Sequence, residues 1–170
     1  MTLEEFYKES KQISRNKKKY GIDYSEILLT NAENNTKTHF IRFLSEEYSR
    51  LNSYIIELVE AFLSSDKGNK LKITFISYSN GIFSFLVEMY IDSKKIFKAF
   101  NFDVSRGEFL YPSLLLKMCG LKPRHIMKFI KRAGKYTPDF DSLYLSQESV
   151  KLFAREKKSG EYELFKMKIT

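Results

Sequence analysis

Apolar and polar positions alternate along this chain in stretches of different period. Thr2 and Glu5 stand three apart as in a capping box, and Leu3, Phe6 and Tyr7 form a small apolar face. A helix is therefore predicted to begin at residue 3 and to end near the run RNKKKYG, where like charges and Gly21 stop it. In IDYSEILLT the apolar residues Ile22, Tyr24, Ile27 and Leu28 match neither the strand nor the helix period, and the segment leans to strand. From His39 onward, Phe40, Phe43, Leu44, Leu51, Ile55, Leu58, Val59 and Phe62 recur at three and four residues. That spacing predicts one long helix half-sunk in a core, ended by SDKGNK.

Three runs rich in Ile, Phe, Val and Tyr follow, LKITFISY, IFSFLVEMYI and IFKAFNFDV, separated by SNG and DSKK; they read as an antiparallel meander. YPSLLLKMCG and KPRHIMKFIKRAGK are helical, each with Pro placed to be the first helical residue. SVKLFARE and EYELFKMKIT, flanking KKSG, make a terminal hairpin. The expected fold class is α+β in a single domain spanning 1–170. It has a long helix in the N-terminal half packed on an antiparallel sheet (meander plus C-terminal hairpin), with a short helix-turn-helix-like pair between them.

Composition sharpens this picture at three points. Fifteen Phe and eleven Tyr within a 43% hydrophobic chain of 170 residues leave no room for a disordered polymer. The one cysteine, Cys119, excludes an internal disulfide and any multi-thiolate metal site within one chain, and no cofactor is expected. With no apolar run long enough to span a bilayer and no apolar stretch at the amino terminus, the expected location is cytoplasmic, without a membrane partner. Lysine outnumbers arginine 22 to 7, and Ile, Asn, Phe and Tyr abound, a usage that suits an A+T-rich genome such as that of a phage or mobile element.

Charge is distributed unevenly. The 30 residues from Phe109 to Pro138 hold seven cations, Lys117, Lys122, Arg124, Lys128, Lys131, Arg132 and Lys135, and no acid; the rest of the chain is 22 basic against 21 acidic. Almost the whole net charge of +8 thus lies in one segment. Within it Ile126, Phe129, Ile130 and Ala133 make an apolar stripe, with Leu114, Leu115 and Met118 as the inner face of the preceding helix, so the basic side chains are expected to face outward. An exposed helix ordinarily mixes signs, because Glu–Lys pairs four apart stabilise it. Here that help is absent.

The run Leu115–Phe129 resembles the helix-turn-helix motif: Gly120 sits in the turn, Cys119 and Leu121 flank it, and Ile126 and Phe129 stand six and nine residues beyond it. It departs from the motif at Leu116, where a small residue is usual. The resemblance implies a second helix lying in a major groove, with Arg124 and His125 at base edges and Lys128, Lys131, Arg132 and Lys135 on phosphates. Smaller basic clusters stand at Arg15, Lys17, Lys18 and Lys19 and at the hairpin tip Lys157, Lys158. The expected function is non-catalytic binding of DNA or RNA through residues 112–135. The alternative is a phage or mobile-element inhibitor or adaptor whose basic face meets a protein with an acidic surface. An enzyme is not expected: neither His39 nor His125 has partners at metal-ligand spacing, and no metal is assigned. The triplet Asp92-Ser93-Lys94 with Glu88 has the form of a Mg-dependent nuclease site, although DSKK also reads as a plain turn.

Overall fold

The structure is a computed structural model and describes residues 1–65, 68–131 and 134–169. Its elements in chain order are α1 (Leu3–Lys8), β1 (Lys11–Lys19), β2 (Ile22–Asn31), β3 (Thr36–Phe43), α2 (Ser49–Leu63, preceded by a 3-10 turn), β4 (Gly68–Ser79), β5 (Ile82–Ile91), β6 (Lys94–Asp103) and β7 (Glu108–Phe109). Then come α3 (Pro112–Met118), α4 (Pro123–Lys131), β8 (Tyr136–Pro138), β9 (Tyr144–Ser146), β10 (Ser149–Glu156) and β11 (Tyr162–Lys168). Strands β1 to β7 lie in chain order in one seven-stranded sheet; β11, β10 and β8 form a second, with β9 also on β10. The β3–β4 pair is parallel while β1–β2, β2–β3 and β6–β7 are antiparallel, so the large sheet is mixed. Two compact units divide the chain: Met1–Phe75 with Val87–Ile96, and Ile76–Leu86 with Phe97–Thr170.

The expected fold class is corrected here: this is a mixed seven-stranded sheet with short helices, not a long helix packed on an antiparallel sheet. Residues 39–43, assigned to the long helix from their spacing, belong to β3 (Thr36–Phe43), and the helix proper covers only Ser49–Leu63. The reason is geometric. On β3 the buried set is Thr36, Thr38 and Phe40 on one face, then Ile41 and Phe43 on the other. A strand covered on opposite faces at its two ends places Phe40 and Phe43 three apart, which imitates a helical period. β2 switches in the same way, from Ile22 and Tyr24 to Ile27, Leu29 and Asn31, and so its sequence matched neither template. Leu44, expected on the helix face, is 52% exposed.

β1 is the second correction. Its residues pair with β2 over their whole length through a turn at Tyr20–Gly21, yet the strand is exposed almost throughout. No hydrophobic pattern marks it, because neither of its faces is buried; pairing with β2 overrides the helical reading.

In the first unit α1 has the expected capping box, with Glu5 N donating to Thr2 Oγ1 and Thr2 N to Glu5 Oε2. Leu3 N donates to Glu60 Oε1 at 3.0 Å, which ties α1 to α2. Asn52 of α2 clamps β3, accepting from Phe43 N at 2.8 Å and donating to Phe43 O at 2.9 Å. Leu51, Ile55, Val59 and Phe62 are the buried face of α2.

In the second unit one apolar cluster joins Leu115 and Leu116 of α3, Ile126 and Ile130 of α4, and Leu143, Leu145, Val150, Leu152 and Ala154 of the smaller sheet. The strands of the predicted meander are present as β4–β6, whose residues are divided between the two units, and those of the terminal hairpin as β10–β11. Asn101 of β6, only 3% exposed, accepts from Ser84 Oγ at 2.7 Å and Leu145 N at 3.2 Å and donates to Leu143 O at 2.8 Å. No helix among the described residues is long and apolar enough to cross a membrane.

Candidate nucleic-acid interface

Both helices of the basic segment begin at proline, as predicted. Gly120, at φ +69°, closes α3: Leu121 N donates to Leu116 O at 2.8 Å and Gly120 N to Lys117 O at 3.1 Å. These are the two bonds of a Schellman motif, with Leu121 packed back on the core. A Cβ at Gly120 would meet nothing within 4 Å, so only the left-handed backbone resists substitution. Gly120→Ala is expected to lower the unfolding free energy by about 1–2 kcal/mol in a urea titration, with no change in the denaturant slope.

Ile126 and Ile130 are fully buried, and this fixes the rotation of α4: Lys122, Arg124, His125, Lys128 and Lys131 come out exposed, as does Lys117 on α3. Two members of the predicted apolar faces do not behave as expected. Phe129 is 40% exposed at the margin of the stripe, its ring edge on Phe165, and Met118 is 48% exposed while Leu116 takes the inner position at 0%. Ala133 and Arg132 lie outside the described residues.

Among the described residues no ion pair engages Lys117, Lys122, Arg124, Lys128 or Lys131. Lys135 differs: Glu156 Oε1 lies 3.1 Å from its Nζ and raises its pKa. His125 Nδ1 accepts from Lys122 N at 3.3 Å, so the imidazole caps the start of α4 and points only Nε2 outward.

β8 brings the hairpin tip to this segment, since Lys157 N donates to Lys135 O at 2.9 Å. Lys157 and Lys158 are exposed at the turn, but the surroundings are of mixed sign, with Glu156 bonded to Ser159 and Lys135 and with Tyr136 bonded to Glu163. The other small cluster is largely engaged. On β1, Lys17 pairs with Glu26 at 3.1 Å, Lys18 with Asp23 at 3.6 Å, and Lys19 donates to Phe75 O at 3.0 Å; Arg15 stands opposite Glu26. Burial holds Lys19 below its ordinary pKa.

His39 is not at a helix start but on β3, half-buried, 3.8 Å from Glu26. Burial is the main influence on Cys119, whose thiol is pushed up in pKa beside the core cluster. Asp92 and Ser93, both at positive φ, form the two-residue turn between β5 and β6, and Glu88 is paired with Lys95 at 3.0 Å. Among the described residues no group of three or more His, Cys, Asp or Glu is placed to hold a metal ion. Two exposed rings flank the basic face, Tyr111, 78% accessible at the start of α3, for which the sequence offered no signal, and Phe129, which its spacing had placed on the apolar stripe. No known protein-family model and none of the curated proteins matches the chain.

Proposed function

We propose that the chain binds nucleic acid without catalysis, using the exposed side of α4 and the C-terminal end of α3, and that it does so in the cytoplasm. The observation that carries the reading is a run of cations, Lys117, Lys122, Arg124, Lys128 and Lys131, held outward by the burial of Ile126 and Ile130 and engaged in no ion pair among the described residues. Like charges at helical spacing repel, and an anionic ligand relieves the repulsion. Duplex DNA fits the helix-turn-helix resemblance, with Arg124 nearest the base edges and the lysines on phosphates.

Four phosphate contacts predict a log–log salt slope of about −3.6, so affinity for a short duplex should fall about 150-fold between about 50 and 200 mM salt. Lys128→Glu with Lys131→Glu should reduce the slope by about two and weaken binding at every salt concentration. Fluorescence anisotropy reads both. A duplex affinity indifferent to these substitutions, or a stoichiometric acidic protein retained on the chain after nuclease treatment in preference to the duplex, overturns the proposal.

A further inference from the structure

The register of the large sheet assembles a second basic surface, within the first unit. Lys11 of β1 faces Thr30 of β2, Thr30 faces Lys37 of β3, and Lys37 faces Lys70 of β4. Two residues along, Ile13, Leu28, His39 and Lys72 form the next row. Directly paired residues share a face, so both rows lie on one side of the sheet. The other side is sealed at this end, with Leu29, Thr38 and Leu71 at 0%, 0% and 1% exposure. On the side of the two rows, Lys11, Lys37 and Lys70 are exposed, and Thr30, Leu28, His39 and Lys72 are half-buried.

This arrangement costs stability. Adjacent strands lie about 5 Å apart, so Lys37 and Lys70 are like charges directly opposite one another. Among the described residues Lys11, Lys37, Lys70 and Lys72 are in no ion pair, and the acid of the neighbouring row, Glu26, is already held by Lys17 at 3.1 Å. A sheet surface serving only solvation would alternate signs. Rings and apolar side chains are interleaved with these cations: Ile13 is 45% exposed, His39 lies between Leu28 and Lys72, and Lys70 Nζ stands 5.3 Å from the centre of the Tyr90 ring. Cations beside apolar side chains and an imidazole on one sheet face suit a strand whose phosphates and bases are both accessible. A duplex offers its backbone alone to such a surface.

We infer that this open face of β1–β4 is a platform for single-stranded nucleic acid, with Lys11, Lys37, Lys70 and Lys72 on phosphates and His39 beneath a base. It is independent of the α3–α4 reading, and neither stands or falls with the other. His39 is a built-in reporter. Burial lowers its pKa, Glu26 opposes that, and Lys72 and Lys17 add to it; phosphates laid across the face reverse the lysine contribution.

The test uses the full chain carrying Lys128→Glu and Lys131→Glu, which removes the two cations of the last turn of α4, and titrates it with labelled single-stranded oligothymidine. Binding should persist, weaken about 50-fold between about 50 and 200 mM salt as four contacts to a single strand require, and raise the pKa of His39 read by NMR. Adding Lys37→Glu should weaken binding at least tenfold while the melting temperature stays level or rises, because the new carboxylate lies opposite Lys70. Lys70→Gln should weaken it without unfolding. Retention of affinity in both variants, an unmoved His39, or equal binding of polyglutamate or phosphatidylserine vesicles overturns the inference.

Discussion

Asn101→Leu should lower the stability of the second unit by about 3–5 kcal/mol, the largest single-residue effect expected in this protein. The side chain is 3% exposed and serves three partners: the Ser84 hydroxyl, Leu145 N and Leu143 O. Leucine is close to asparagine in size but can neither accept nor donate. A buried amide N–H, a buried carbonyl and a buried hydroxyl would each lose a bond, and an orphaned group of this kind costs about 1–3 kcal/mol. Ser77, whose hydroxyl donates to Leu145 O at 2.5 Å, still holds the same strand, so the unit loosens around β9 without losing it altogether. Asn52 provides the comparison. It makes two bonds to the backbone of Phe43 but is only half-buried, so water replaces them, and Asn52→Ala should cost about 1 kcal/mol. Urea unfolding of the two variants, followed by far-UV circular dichroism, checks the ratio. Equal losses would mean that burial of the Asn101 network does not matter.

Leu116→Ala should destabilise by about 3 kcal/mol, within the 2–5 kcal/mol range of large-to-small core substitutions. At this position a helix-turn-helix motif ordinarily carries a small residue, and the substitution would restore the pattern. The protein instead fills the space: Leu116 is fully buried in the cluster with Ile126 and Ile130, and alanine leaves a cavity there. Met118→Ala, on the face that sequence spacing had assigned to the core, should change stability by no more than about 0.5 kcal/mol, since Met118 is 48% exposed. Calorimetric melting of this pair separates the two assignments directly. A small effect at Leu116 would show that α3 and α4 can close the gap.

Local chemistry was what the sequence displayed well. The Thr2–Glu5 box, the prolines opening α3 and α4, the turns at Asn80–Gly81 and Asp92–Ser93, and the stripe Ile126–Ile130 each act within a few residues. What failed depended on pairing with another strand, which a segment's own pattern of apolar residues does not record. β1 exists because β2 pairs with it, and β3 because β2 and β4 flank it. The swap of covered faces within β2 and β3 turned a strand period of two into an apparent three, and the long-helix reading followed. The basic face of α4 was legible for the reason the stripe was, since a 3.6-residue period assigns inside and outside together. The sheet surface was not. Lys11, Lys37, Lys70 and Lys72 belong to three strands, and only the register makes them neighbours.

β1 has a consequence for handling as well as for binding. It ends the large sheet, with no strand on its outer side among the described residues, and its nine residues carry five cations and no acid. Lys17 and Lys18 are paired with Glu26 and Asp23, but Lys11 and Arg15 are in no ion pair among the described residues, so two copies meeting rim to rim would repel there before their backbones could zip together, a guard against fibrillar growth. That guard is electrostatic, and concentrated salt or a multivalent anion lifts it; dilute buffer is the safer medium for concentrated stocks.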